Sequence, residues 1–532
     1  MLQAETCPNR ACTCGPFCIY EMENKTQNRC DLLFLLILAL GVFARVWRYP
    51  AIPAGLNQDE AFAAYEAWAL LHGGVDSSLH AWPVYLTAWG SGMNALETYL
   101  MLPLVALFGP AKWAIRLPQL LVALASLFAA RGVGRQIGGR RGELCLAAVL
   151  ALCPWHILLS RWGLESNLAP GMLLIGLYFL LRGREDGRFL PPAALFYGLS
   201  LYAYSAIWPV MPLLLGLLLL YLRPKADRHL LVSALILAAL ALPLVAFLAV
   251  NYGLIGEFSI GPFSVPRLVE MRAEEISLAA VPENLRNMLR ILLRQSDGLR
   301  WNSPGVYGLF YPVALPFGLL GLGELVWRLA VSLRERRIDP AVTLLIWLVC
   351  GVGLCALISV NVNRMNFLLM PIALTAALGA ETLLRLMGRY GKACAAVLGI
   401  ALLGFFLSFE RFYFTDYAAS LRGDFTAGAE QAVEEALSHE GTVYITKALH
   451  YPKLLLYAGI TPEEFNADVE YEHYPAQYLS VRRFGRFVFC EDRYMPFDED
   501  GVYLLWTGVP TERWTEQGFA CEQIGVFQVL WK

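Results

Sequence analysis

The chain has little charge. Only 16% of its 532 residues are Asp, Glu, Lys or Arg, against about a quarter in a soluble domain. The two signs nearly cancel, at a formal net charge of −2 with 7 histidines. Without a concentrated basic face, a nucleic-acid partner is excluded. No Gly-x-Gly-x-x-Gly or Walker phosphate loop and no His-Glu-x-x-His zinc motif occurs. What replaces the charge is apolar: 57% of residues are hydrophobic and the mean hydropathy is +0.50. This excludes a soluble globular enzyme, a disordered chain and a small disulfide scaffold. Aromatic residues make up 12%, a share that suits membrane-interface belts and sugar-stacking surfaces.

The apolar residues fall into runs: Leu32–Val46, Ile115–Ala130, Leu144–Leu159, Leu168–Leu181, Ala193–Trp208, Val210–Leu222, Leu230–Val250, Val306–Leu325, Ala341–Val360, Phe367–Leu384 and Ala393–Phe409. At about 20 residues per crossing these predict roughly eleven transmembrane helices between residues 31 and 409. Basic residues cluster in alternate connections: Arg131–Arg141, Arg182–Arg188, Arg223–Arg228, Arg328–Arg337 and Arg385–Lys392. The positive-inside rule puts these five segments in the cytoplasm, with residues 1–30 as a cytoplasmic tail. The connections are about ten residues or shorter and leave no room for a nucleotide-sugar domain on that side. Met93–Phe108, short and carrying Glu97, then reads as an interfacial or re-entrant helix inside a first outer loop of about 47–113. A second long outer loop covers 251–304.

The N-terminal tail holds Cys7, Cys12, Cys14, Cys18 and Cys30. Zinc binding is one reading, although the spacing fits no common structural zinc pattern; a tail without function is the other. Met22 is an alternative start, and Leu32–Val46 lacks the small-residue cleavage site of a signal peptide. Residues 410–532 change character. Charge returns, with strand-like runs at Thr442–Thr446, Arg486–Cys490 and Val502–Trp506 and helix-like pieces at Gly428–Leu437 and Tyr451–Ala458. They predict a small extracytoplasmic α/β domain in which Cys490 and Cys521 either pair or stay free.

Chemistry-bearing residues gather in the outer segments. Asp59 and Glu60 are adjacent carboxylates just after the first span, and Asn57 is placed to cap a helix that begins there. Arg161 and Glu165 stand four residues apart in the short loop at 160–167. The plain alternative for them is a helix-surface pair worth only a few tenths of a kcal/mol. Arg161 and Arg364 oppose the prevailing charge bias, which points to an anionic partner; a phosphate fits the guanidinium fork. Snorkelling to lipid headgroups is the competing account of Arg364. Asn361, Asn363 and Asn366 surround it with neutral donors. Carboxylates and guanidiniums at one membrane face, with almost no charge in mid-span, favour chemistry on a phosphate held at the lipid surface over transport.

The order and sidedness of these motifs resemble the C-type (GT-C) membrane glycosyltransferases. Tyr85, Met93–Gly109 and Ala114-Ile115-Arg116-Leu117-Pro118 look like glycosyltransferase family 39, the branch with protein O-mannosyltransferases and aminoarabinose transferases. Arg161-Trp162-Gly163-Leu164-Glu165 resembles the second acidic motif, and Arg364-Met365-Asn366 the lipid-phosphate arginine. The resemblance covers roughly Asp31 to Leu384. It implies a polyprenyl-phosphate sugar donor, a protein, lipid or glycan acceptor, and inverting transfer at the outer face of the plasma membrane. It makes Asp59 the base, Glu60 a pocket-shaping carboxylate, Glu165 a second acidic residue, and Arg364 the leaving-group cation; Tyr85, Arg161 and Asn366 complete the binding set. Aminoarabinose transferases carry a Glu-Lys-Pro stretch where this chain has His80-Ala81-Trp82-Pro83. Residues 251–304 are too few for the β-trefoil domain of eukaryotic mannosyltransferases. Superfamily members differ in whether a divalent metal sits between the acidic loops. A flippase for polyprenyl-linked glycans and a lipid phosphotransferase are the alternatives; the first has no need of Asp59.

Overall fold

A computed structural model describes residues 16–271 and 276–532, with side chains from residue 30 onward. The cysteine cluster at 7–18 lies outside the described side chains, and Cys30 is a free thiol. The first part is helical: α1 (Pro16–Val46), α2 (Gln58–Gly73), α3 (Leu96–Phe108), α4 (Lys112–Leu152), α5 (Pro154–Leu159), α6 (Glu165–Gly183) and α7 (Leu190–Ala203). There follow α8 (Met211–Leu222), α9 (Arg228–Asn251), a hairpin of β1 (Phe258–Ile260) and β2 (Phe263–Val265), and α10 (Val281–Arg294). The bundle closes with α11 (Ala314–Glu335), α12 (Val342–Leu357), α13 (Val362–Leu386) and α14 (Gly391–Phe412). Each apolar run lies mainly on a helix. Among the described residues, 5 helices are long and apolar enough to cross a membrane. One of them, α4, is two arms folded back at Gly138–Gly139, where Gly139 takes φ 58°. The arms meet backbone to backbone at Gly134 and Gly142, where added Cβ atoms would come within 2.4 and 2.5 Å of the opposing carbonyl oxygens.

One expectation needs correction. The run Val306–Leu325 predicts a helix that begins too early. Gly305, Gly308 and Tyr311 have positive φ, so α11 starts only at Ala314 and carries Arg328 and Arg334 on its own last turns. The 13-residue α3 spans about 20 Å, short of a bilayer core, and packs on α2 and α4.

Helix α13 runs through the centre, packed on α11, α4, α12 and α6 and buried along most of its length. It crosses α11 closely because Gly321 and Gly379 have no side chain: a Cβ on either would lie 1.9 Å from a carbonyl oxygen of the other helix. By contrast α9 exposes Leu231, Leu235, Leu242 and Val245, a face suited to lipid. All five basic segments converge at one end of the bundle. Arg131, Arg135 and Arg182 line one cleft. Gly138, Arg328, Arg337 and Arg385 line another, and Tyr221, two residues before Arg223, donates to the Asp339 carbonyl.

Past α14 a π-helical turn (Tyr413–Tyr417) leads into the last domain: α15 (Ala418–Ser420), α16 (Ala429–Leu437), β3 (Val443–Thr446), α17 (Tyr451–Ala458), α18 (Pro462–Asp468) and β4 (Glu470–Tyr471). It continues through β5 (Val481–Phe484), β6 (Phe487–Cys490), β7 (Val502–Trp506), α19 (Glu512–Thr515), β8 (Ala520–Ile524) and β9 (Phe527–Trp531). The sheet order is β4-β5-β6-β3-β7-β9-β8, with β3 parallel to β6 and β7 and the other pairs antiparallel. Cys490 on β6 and Cys521 on β8 are free. Three strands separate theirs, roughly 19 Å at the usual strand spacing, far beyond the reach of a disulfide. The domain rests on the first long loop through α17, which packs against α2.

Candidate active site

Helix α2 begins with a capping box: Asn57 accepts from the backbone of the first turn and Glu60 reaches back to the Asn57 N–H. Asp59 is thereby set at the helix start. Trp89 Nε1 donates to Asp59 Oδ1 at 3.1 Å. The linker before α2 is held from outside. Arg116, from α4, donates to the carbonyls of Pro50, Pro53 and Gly55 at 2.9, 2.9 and 2.6 Å. Arg161 donates to those of Ala44, Trp47 and Ile52 at 2.8, 3.0 and 3.0 Å, with its guanidinium facing the rings of Tyr413 and Phe414. These carbonyls, at the last turn of α1 and in the linker after it, are satisfied by two buried forks of donors.

The second acidic motif is aligned by the first. Glu60 accepts from the Gly163 N–H at 2.8 Å, two residues before Glu165. Glu165 opens α6 and accepts from both the backbone and the side-chain amide of Asn94. It does not pair with Arg161 as a helix-surface partner would. From the far side Asn366 donates to the Ser166 carbonyl and to Asn167 Oδ1 at 3.3 and 3.1 Å and accepts from Trp155 Nε1 at 2.9 Å. Asn361 caps α13 by accepting from the Arg364 N–H, and the Arg364 guanidinium bonds Ser359.

Asp59, Tyr85, Glu165 and Arg364 all line one cavity of about 520 Å³. Its polar side also carries Ser205, Asn361 and Asn363. Its aromatic wall is Tyr85, whose ring lies 4.5 Å from Phe247 and 5.6 Å from Trp208. Tyr252 and Ile276, on the lining, are 61% and 52% exposed, so the cavity opens along an apolar rim. It lies at the start of α6 and α13, the ends opposite Arg182 and Arg385, and thus opposite the basic segments. Glu60, Arg161 and Asn366 are outside it: each is buried and bonded to protein, and each holds a segment that carries a lining residue.

Sequence reasoning missed three residues here. Glu97 of α3 is 2% exposed, and burial together with the carboxylates of Glu60, Glu165 and Asp59 pushes its carboxyl well above the usual range. Its signal was a carboxylate inside an apolar stretch. Lys453 of α17 is 1% exposed. Burial pulls its ammonium down to about 7, opposed by Asp59 and Glu60. Trp89 had no signal beyond its type. Among the described residues no group of three or more His, Cys, Asp or Glu side chains is arranged to hold a metal ion.

No protein-family model matches the chain, and no curated protein matches it in sequence. Solved structures do. The crystal structure of ArnT from Cupriavidus metallidurans in the apo state superposes with a TM-score of 0.55 at 12% identity, covering 95% of this chain and 98% of that one. The same protein bound to undecaprenyl phosphate gives 0.50 at 14% identity, covering 94% and 97%. The oligosaccharyltransferase of Archaeoglobus fulgidus in the apo form gives 0.49 at 13%, covering 81% and 64%. The chain thus shares the fold of ArnT over nearly the whole length of both chains.

Proposed function

We propose that the chain is a multi-pass membrane glycosyltransferase that moves a sugar from a polyprenyl-phosphate donor to an acceptor hydroxyl. One observation carries this: Asp59, Glu165 and Arg364, from three distant segments, line a single cavity with an aromatic wall and an apolar rim, on the fold of a protein solved with undecaprenyl phosphate bound. The prenyl chain lies along the exposed apolar rim and its phosphate at Arg364. Asp59 takes the proton of the acceptor hydroxyl. The acceptor oxygen bonds the anomeric carbon as the bond from that carbon to the phosphate oxygen breaks, and the electron pair leaves on the phosphate, whose charge Arg364 offsets. A single displacement inverts the anomeric centre. Glu165, held by Asn94, orients the sugar or the acceptor.

The basic segments gathered at one end support a topology with the cavity and the C-terminal domain outside the plasma membrane and the N-terminus inside. Cys521 is exposed in that domain. On a background without other cysteines, an impermeant thiol reagent should label it in intact cells; labelling only after permeabilisation overturns the sidedness. The function is tested with purified protein in vesicles and a radiolabelled polyprenyl-phosphate sugar. Transfer of label to an acceptor, lost in Asp59→Asn, supports it. Transfer of phosphate instead identifies a phosphotransferase. Movement of the lipid across the vesicle, unaffected by Asp59→Asn, identifies a flippase.

A further inference from the structure

The C-terminal domain grips the side chain that holds Asp59. Trp89 lies in the first long loop, 4% exposed. Its own φ is +61°, a conformation a tryptophan adopts only when its surroundings fix it. Those surroundings belong largely to the other domain. The indole stacks on Tyr478, with centroids 4.6 Å apart and planes 13° from parallel. Its edges meet Tyr451 at 5.5 Å and His450 at 6.0 Å. The Leu479 N–H donates to the Trp89 carbonyl at 2.8 Å, and Gly90 forms a strand-like bridge with Tyr478. Tyr478 is itself tied down, its hydroxyl 3.2 Å from His450 Nδ1. From the remaining side Phe62 of α2 closes the cage at 4.8 Å.

A cage of this kind is more than packing needs. Stacking alone would leave the indole free to choose its rotation, whereas here the backbone, the ring plane and the ring edge are all set. The one polar atom of the ring is then aimed at one oxygen of Asp59. A carboxylate that acts as a base must present an oxygen to the incoming hydroxyl in a fixed direction. A donor fastened to one oxygen supplies that direction, and the same bond stabilises the ionised form that accepts the proton.

We infer that Trp89 is a positioning residue for the base and that the C-terminal domain, through Tyr478 and His450, is the element that sets it. The domain is thus part of the catalytic apparatus and not a separate appendage. This rests on the reading of Asp59 as the base, so the test separates the two.

Trp89→Phe keeps a ring to stack on Tyr478 and removes the N–H. We expect kcat to fall roughly tenfold to a hundredfold, the worth of a hydrogen bond to a charged group, with KM for the polyprenyl-phosphate sugar unchanged and the thermal midpoint in detergent close to wild type. Tyr478→Ala should lower kcat in the same way, while Tyr478→Phe, which keeps the stack, should recover most of it. The double variant Trp89→Phe with Tyr478→Ala should be no slower than the slower single one, because both act through one contact. If Asp59→Asn is inactive while folded Trp89→Phe turns over like wild type, this inference fails and the base reading stands. If Asp59→Asn is itself active, the base reading fails. If the two single effects multiply, Tyr478 does not act through Trp89 and the role of the domain falls.

Discussion

Arg116 and Glu60 form an ion pair with no exposure on either side chain. Arg116 Nε donates to one carboxylate oxygen at 2.7 Å and a terminal nitrogen to the other at 2.9 Å. The pair joins α4 to the start of α2, and Glu60 also takes the Gly163 N–H. Breaking it strands a buried guanidinium. Glu60→Gln should therefore lower the stability of the folded protein by roughly 3–5 kcal/mol, seen as a lower thermal midpoint and poorer recovery in detergent. Arg116→Lys should lose less, since it keeps the charge but not the fork. A Glu60→Gln protein with wild-type stability and reduced turnover would move this residue from scaffold to chemistry.

Asp59→Asn should behave in the opposite way. The change keeps size and can still accept from Trp89, so folding and thermal midpoint should stay near wild type while transfer is lost. Glu165→Gln should lower turnover with only modest loss of stability, because the amide oxygen still accepts from Asn94. The measurement is single-turnover transfer in vesicles with the midpoint recorded on the same preparations. Equal damage to both quantities in Asp59→Asn would make the residue a structural part of the first turn of α2 and nothing more.

The contrast between Asp59 and Glu60 shows where sequence reasoning stops. The pair, the second acidic residue at 165 and Arg364 are legible from residue type, order and charge bias, and Tyr85 from the family resemblance; four of these five line the cavity. The resemblance assigns the base to Asp59 and a pocket-shaping role to Glu60, but what holds Glu60 away from the cavity is Arg116, 56 positions away, beyond any local pattern. The charge bias points Arg161 toward an anion, whereas its guanidinium bonds the carbonyls of Ala44, Trp47 and Ile52. The physical signal against that was close at hand: the Pro50 and Pro53 linker leaves carbonyls without helical partners, and a buried arginine can satisfy several at once. The helices were legible because apolar runs leave few alternatives. The late start of α11 was not, since Val306–Leu325 is apolar throughout and only its backbone conformations break the helix. Trp89 and Lys453 owe their position to contact between the first loop and the C-terminal domain, which no local pattern encodes.

Arg364 separates donor binding from acceptor binding. Its guanidinium lines the cavity at the start of α13, bonded to Ser359, and Asn361 fixes the turn that presents it. Arg364→Lys should weaken turnover and donor-lipid binding, since one ammonium replaces a planar fork, and Arg364→Ala should weaken both much further. Acceptor binding should change little. Donor binding measured by competition with unlabelled polyprenyl phosphate checks this. Wild-type binding in Arg364→Ala would make the arginine an interfacial anchor.

Lys453 ties the stability of the two-domain arrangement to pH. Burial lowers its pKa from 10.5 to about 7 despite the opposing pull of Asp59 and Glu60. In the unfolded chain the amine stays protonated up to about 10.4. Between these values the folded state binds fewer protons than the unfolded one, so stability rises with pH across that window. Below about pH 7 the lysine is charged in both states and adds no slope, but the full penalty of burying the ammonium is present. Lys453→Met removes the titration and keeps most of the volume. Its thermal midpoint should exceed that of wild type most at pH 6.5, and the gap should narrow steadily toward pH 9.5. A gap constant over that range would mean that Lys453 titrates outside it in the folded protein, and that its ammonium is held by the carboxylates beneath it in spite of burial.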